Sequence, residues 1–318
     1  MREKFNWAYI GAGGIARSTA KQILKTGQHR IVSVWNRNPQ RAAEFGKKFG
    51  AVPCATIAQA VDRPDVQGVY IATTHNHHYA AARECLLLGK PVLVEKAFTV
   101  TRAQAQELVA LAREKGVYLA EAMWTWYSPV ARQVKAWCGE IGEIKNIQIS
   151  FCTRIPRSAD RVYNPNTAGG ALLDIGVYPL TYLYNLLGKP EHVTCKGTLR
   201  DGADVDEVVT LDYANGLRVP VTISLTRDIS EKLIITGTQG EIRCPFFHCT
   251  NKATLVQGRR KTRFKGDGGY GNEFSVVADE IRQGQTESRY VPLENTVEIM
   301  GILDECRRQM GLKYPFEE

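Results

Sequence analysis

The chain has 318 residues, 44% of them hydrophobic and 23% charged, with a net charge of +8. That length exceeds one typical domain, and the apolar share is that of a globular protein. No run of 18 apolar residues is present, which excludes a helical membrane span, and Met1–Trp7 has no signal-peptide hydrophobic region. The eight cysteines show no C-x-x-C pairing, so free thiols and a cytoplasmic location are expected.

The first element is a short apolar strand running into Gly11-Ala12-Gly13-Gly14-Ile15-Ala16. Gly11, Gly13 and Ala16 fit G-x-G-x-x-G/A, the dinucleotide-binding fingerprint. Gly11 permits the tight turn, Gly13 lets a pyrophosphate approach the backbone, and Ala16 lets the helix pack close on the strand. Free N–H groups at the helix start, around Gly14 and Ile15, then face the phosphate. Ser18–Lys25 is helical in pattern, Gly27 breaks it, and His29–Trp35 reads as the second strand. A unit built for NAD usually ends this strand in Asp or Glu, which binds the ribose 2′-hydroxyl. Here Asn36 stands there, followed by Arg37 and, one helical turn on, Arg41. Paired guanidinium donors match a 2′-phosphate, so NADP is expected over NAD.

Further strands are expected at 68–72, 90–94 and 117–120, with helices over 79–88 and 102–115. This βαβ rhythm implies an α/β fold: a doubly wound parallel sheet whose ligand lies beyond the strands' carboxyl ends. Thr73, Thr74 and His75 follow one strand end, Glu95 and Lys96 the next, Glu121 and Trp124 the last. Past residue 125 the pattern changes. Alternating or β-branched runs at 144–151, 192–197, 205–213, 217–225 and 232–236 predict a large, mostly antiparallel sheet. A long apolar helix, 171–187, is set among its first strands, and two helices, 272–283 and 294–310, close the chain. We therefore divide the sequence into a dinucleotide-binding domain, 1–122, and an α+β substrate-binding and dimerisation domain, 123–318, with the C-terminal helix packing back on the first. The cluster Arg259, Arg260, Lys261, Arg263 and Lys265 comes without any nucleic-acid motif and reads as a solvated hairpin, so no nucleic-acid partner is expected.

At Lys90–Lys96, ending Val-Glu-Lys, the chain resembles the glucose–fructose oxidoreductase/inositol dehydrogenase/MocA family, whose corresponding strand ends in Glu-Lys-Pro. A second block, Gly169–Tyr178, is similar to that family's catalytic-domain motif, with Tyr178 where many members carry histidine. Tyr178, together with Glu121–Thr125, resembles the branch of dimeric dihydrodiol dehydrogenases and NADP-dependent D-xylose dehydrogenases. Ala97 stands in place of the proline after Lys96, so a cis peptide is not expected there.

The resemblance implies an enzyme that moves a hydride between a nicotinamide and a secondary alcohol or carbonyl of a sugar, polyol or cyclic diol. Such chemistry requires a base for the hydroxyl proton and a group that holds the oxygen as charge develops. A free tyrosine, with pKa near ~10, is a poor base at neutral pH unless an ammonium stabilises its phenolate. The resemblance implies Tyr178 as acid/base and Lys96 as its partner, in a cleft between the two domains. Asp174, four residues earlier, orients Lys96 or a substrate hydroxyl, or is itself the base. His75 then lines the nicotinamide pocket and His78 stands at a helix start. Trp124, Trp126 and Tyr127 are either an aromatic wall over the substrate ring or core. Arg161 and Tyr163 are candidates to close over substrate. His75, His77 and His78 lack further ligands at zinc spacing, as do Cys244, His248 and Cys249, which read as a strand-end turn; no metal is expected. A homodimer through the C-terminal sheet completes the reading. The alternative is a non-catalytic, dinucleotide-sensing regulator of the same fold, which Lys96 and Tyr178 argue against.

Overall fold

The computed structural model describes residues 3–317 and divides into two compact units, Met1–Trp124 with Gly269–Thr296, and Thr125–Gly268 with Val297–Glu318. In the first unit six strands, β1 Phe5–Ile10, β2 His29–Trp35, β3 Val52–Cys54, β4 Gly68–Ile71, β5 Val92–Glu95 and β6 Leu119–Ala122, form one sheet. Every pairing is parallel, in the order β3-β2-β1-β4-β5-β6. β4, β5 and β6 are buried along their whole length, as a sheet covered on both faces requires. The order reverses between β1 and β4, which makes that point the crevice of a doubly wound sheet.

The helix Gly271–Arg282 folds with this unit because its apolar face meets an aromatic cluster. Phe274 lies 5.0 Å from the Trp7 ring and 4.9 Å from that of Tyr70, and Arg282 sits over Phe5. The last helix, Leu293–Met310, falls largely in the second unit, where Gln309 Nε2 donates to Val193 O and Oε1 accepts from Cys195 N–H.

The second unit is built on eight strands: β7 Ile144–Cys152, β8 His192–Arg200, β9 Ala203–Asp212, β10 Arg218–Ser224, β11 Lys232–Gly237, β12 Glu241–Pro245, β13 Lys252–Gln257 and β14 Arg260–Lys265. Their order is β14-β13-β12-β11-β7-β10-β9-β8, antiparallel throughout except between β7 and β10. Val219, Val221 and Ile223 of β10 are fully buried on one face, while Arg218 and Pro220 are exposed on the other. The basic cluster is the hairpin β13–β14, whose outer strand forms one edge of the sheet. Lysines and arginines there oppose pairing with another strand.

Two expectations are corrected. The segment 171–187 is not one α-helix: Leu172–Gly176 is a π-helical turn, and the α-helix runs over Val177–Leu187. Pro179 has no N–H to give to Ile175 O, and the wider turn accommodates that missing bond, as such bulges do elsewhere. The Lys96–Ala97 peptide, expected trans, is cis. Among the described residues no helix is long and apolar enough to cross a membrane.

Candidate active site

In the first unit the glycine turn leaves β1 toward the helix Gly14–Lys25. Gly11 has φ +115°, and a Cβ there would collide with the backbone oxygen of Ala72, just past β4. Only glycine lets these two backbones approach so closely. Gly13 and Gly14 face open space. Gly13 is the helix N-cap and offers no capping side chain, and no acidic residue occupies the first turn. The N–H groups at Gly14, Ile15 and Ala16 are thus directed at whatever fills that space, in the form of an anion site. Asn36 braces the turn: its Oδ1 accepts from Ala12 N–H at 3.2 Å and its Nδ2 donates to Asn38 O at 3.0 Å. Arg37 is exposed, with Nη1 2.9 Å from His77 Nε2, and Arg41 is exposed one turn into the next helix. No carboxylate ends β2. These residues fit a dinucleotide, with an uncapped helix start open to its pyrophosphate and no carboxylate at the end of β2 to repel a 2′-phosphate.

Lys96 follows the carboxyl end of β5 on a backbone held by buried groups. Glu95 is 4% exposed, so Glu95 and Lys96 are no surface ion pair. Glu95 Oε1 accepts from Tyr70 Oη at 2.5 Å and Oε2 from Lys96 N–H at 3.2 Å. His78, also buried, lies inside the helix His75–Leu87 rather than at its start, with Nδ1 2.9 Å from Ala97 O and Nε2 3.3 Å from Thr73 O. Burial lowers its pKa to about 4, so the ring is neutral and donates to one of the two carbonyls. Glu121, on β6, accepts from Thr296 Oγ1 at 2.9 Å and from the Phe98 N–H. Burial raises its pKa to about 7, with the Thr296 and Phe98 hydrogen bonds opposing. Three side chains therefore grip the backbone of three successive residues, Lys96, Ala97 and Phe98. Thr73 and Thr74 are half-exposed beyond β4, and His75 is buried 5.6 Å from the His78 ring. Trp124 packs on Tyr270 at 4.8 Å.

In the second unit Asp174 and Tyr178 sit on the π turn and the helix that continues it. The glycines before them are required by packing. Gly170 has φ +134°, and a Cβ there would strike the carboxylate of Asp204, whose Oδ2 accepts from Leu172 N–H at 2.6 Å. A Cβ on Gly176 would come within 2.9 Å of Ile223 Cδ1, so the helix lies tight on β10. Asp174 accepts from Arg161 Nη2 at 3.3 and 3.4 Å. Tyr163 gives its hydroxyl to Ile155 O at 2.7 Å and Leu225 O at 3.2 Å, which makes it a brace for its own loop. Trp126 and Tyr127 are core, Trp126 packing 5.0 Å from Tyr182.

Tyr178, 7% exposed, packs beside the Phe151 ring at 5.8 Å and the His248 ring at 5.4 Å. His248 stacks on Phe151 at 4.5 Å. Its Nδ1 lies 2.6 Å from Glu231 Oε2, and its backbone N–H donates to Glu231 Oε1 at 2.9 Å. Sequence reasoning placed His248 in a turn, which it is, and gave it no role. Its partner Glu231 is 17 residues away with no local signal linking the two. Among the described residues no group of three or more His, Cys, Asp and Glu is arranged to hold a metal ion.

Residues 5–123 match the family model described as an oxidoreductase family with an NAD-binding Rossmann fold, and residues 132–243 match the GFO/IDH/MocA C-terminal domain. Mouse trans-1,2-dihydrobenzene-1,2-diol dehydrogenase is 31% identical over 97% of this chain and 98% of its own length. The chain belongs to the Gfo/Idh/MocA oxidoreductase family. A D-xylose 1-dehydrogenase (NADP(+)) of Hypocrea jecorina is 31% identical over 97% of this chain and 93% of that protein. In fold, this Gfo/Idh/MocA chain superposes on a 3-ketoreductase from Actinomadura kijaniata, solved with NADP and TDP-benzene, with a TM-score of 0.87 at 24% identity over 97% and 98% of the two chains. The family assignment makes the protein a nicotinamide-dependent oxidoreductase of alcohol and carbonyl groups, and nothing among these relatives favours a non-catalytic regulator.

Proposed function

We propose that the protein oxidises a secondary alcohol, or reduces the matching carbonyl, of a sugar, polyol or cyclic diol, with NADP preferred to NAD. One observation carries the reading: an uncapped helix start follows Gly11 at the β1/β4 crevice, and Lys96 stands at the carboxyl end of β5 in the same sheet. When bound, the nicotinamide supplies or accepts the hydride. Gly11, Gly13, Gly14, Ile15 and Ala16 hold the pyrophosphate, Arg37 and Arg41 the 2′-phosphate, and Thr73, Thr74 and His75 border the nicotinamide end. His78 and Glu95 act at one remove, by fixing the Lys96 backbone.

Tyr178 moves the hydroxyl proton, and Lys96 stabilises charge on the oxygen and on the phenolate. Asp174, paired with Arg161, sets the polar lining one turn from Tyr178. Trp124 and Arg161 are the candidate substrate contacts, with Tyr163 bracing the loop that carries Arg161. The compounds that name these relatives, a trans-dihydrodiol and D-xylose, are both vicinal diols, which supports this class over simple alcohols. A homodimer through the exposed face of the eight-stranded sheet, where Val208 and Pro220 stand, and a cytoplasmic location suited to eight free cysteines complete the reading. A panel of aldoses, inositols and trans-dihydrodiols with NADP, followed by absorbance of the reduced cofactor, tests it. Turnover of at least one vicinal diol is expected, and no turnover across the panel in either direction would contradict it.

A further inference from the structure

Neither the family blocks nor the dinucleotide fingerprint includes His248, yet its ring packs beside that of Tyr178. We infer that His248 is a positioning residue that carries a fixed positive charge beside the Tyr178 ring and eases loss of the phenol proton. The inference rests on Tyr178 being the proton-transfer group.

Three observations converge. First, the ring is locked in place. It stacks on Phe151 at 4.5 Å, its backbone carbonyl accepts from Thr125 Oγ1 at 2.9 Å, and both oxygens of Glu231 are engaged by its N–H and its Nδ1. A side chain so held keeps its distance of 5.4 Å to the Tyr178 ring. Second, the Glu231 side chain is 5% exposed, so its carboxylate is poorly hydrated and draws its neutralising charge from the imidazole. Burial disfavours the imidazolium, but hydrogen bonds with Cys249 and Glu231 outweigh it and raise His248 to about 9. The ring is therefore cationic throughout the neutral range. Third, with Nδ1 committed to Glu231, the charge remains on a ring that faces Tyr178 and is part-exposed to solvent.

Glu231 and Cys249 adjoin His248, Phe151 on β7 is apolar, and Thr125 is uncharged. Asp174, one turn before Tyr178, faces Arg161. A cationic ring whose centre lies 5.4 Å from that of a phenol ring favours the phenol's ionised form, and the Glu231 carboxylate offsets this in part.

The test is the pH dependence of kcat for alcohol oxidation by the full-length protein, on any diol it accepts. His248→Phe keeps a ring to stack on Phe151 but removes the charge and leaves Glu231 bare. Its acid limb should move up by about one pH unit, a roughly tenfold loss of kcat on the acid side. Glu231→Gln lets His248 lose its proton at neutral pH and should move the limb in the same direction by less. A purely structural role predicts lower kcat with an unmoved limb in both variants, and that result would overturn the inference. Tyr178→Phe separates the two claims. If it abolishes turnover while the His248→Phe limb stays put, the acid/base reading stands and the His248 inference falls. If it retains near-full activity, the acid/base reading falls first. A direct readout independent of turnover is the ultraviolet phenolate difference spectrum between each protein and its Tyr178→Phe counterpart, which should titrate at higher pH when His248 is Phe.

Discussion

Lys96 is flanked by buried carboxyl groups, and the local chemistry follows from how each is satisfied. Glu95 takes the Tyr70 hydroxyl and the Lys96 N–H, and Glu121 takes Thr296 and the Phe98 N–H. Glu273 is wholly buried with both carboxyl oxygens unpartnered, and burial, then the charge of Glu95, drives its pKa well up. A neutral Glu273 is the state that such burial permits. At the other end of the sheet the assignment of Arg37 makes a direct prediction. Arg37→Ala should weaken NADP by roughly 10–100-fold, the range for hydrogen bonds to a charged group, and leave NAD nearly unchanged. Titration of both cofactors decides it, and equal loss for the two would contradict the 2′-phosphate role. The glycine turn, written into local spacing, and the place of Lys96 just past a strand's carboxyl end were legible in the sequence. Glu121, Thr296, His248 and Glu231 were not given roles, because their partners are brought together by the fold from 17 to 175 positions away.

The glycine turn shows at the scale of an element why two residues of one motif do different work. Gly11→Ala drives a methyl into Ala72 O at a strained φ and should cost about 2–4 kcal/mol of stability along with dinucleotide affinity. Gly13→Ala meets no protein atom, so it should leave stability within about 0.5 kcal/mol and lower only cofactor affinity. Denaturation and cofactor titration on both variants check the split. β6 adds a pH dependence. Glu121 binds its proton more tightly folded, with a pKa of about 7, than unfolded. Its contribution is therefore fully present below the unfolded carboxylate value, near ~4.3, and is lost as pH rises through about 7, of order 3 kcal/mol in all. Chemical denaturation from pH 5 to 8 should show a steeper decline in the wild type than in Glu121→Gln, and parallel curves would contradict it. The parallel strands other than β3, which is short and largely exposed, were readable as buried apolar runs. The helix Pro129–Cys138 was passed over, the helix Pro39–Phe49 was read only as a turn around Arg41, and β12 to β14 were read only as a strand end and a solvated hairpin without bounds, since these elements are short or polar on much of their surface. The π turn has no sequence signal beyond Pro179, because 171–180 is apolar on nearly every side and its periodicity is mute.

For the whole molecule, the order of the two sheets was legible in outline, from βαβ rhythm first and alternation later. The return of Gly269–Thr296 to the first unit was not, because complementarity between Phe274 and the Trp7–Tyr70 cluster exists only once both are folded. The proposed homodimer predicts a dimer by sedimentation at micromolar concentration. Arg in place of Val208 on the exposed sheet face should shift it toward monomer with the fold intact, and a wild-type monomer at that concentration would contradict the proposal. The central proposal is that Lys96 and Tyr178 act as one catalytic pair. The most direct measurement is kcat/KM for Lys96→Met, Tyr178→Phe and the double variant on one accepted diol, with NADP affinity measured alongside. Each single change should lower kcat by about 10²–10⁴-fold with cofactor affinity little altered, and the double variant should be scarcely worse than the worse single one. Near-full activity in Tyr178→Phe, or losses that multiply in the double variant, would contradict the account.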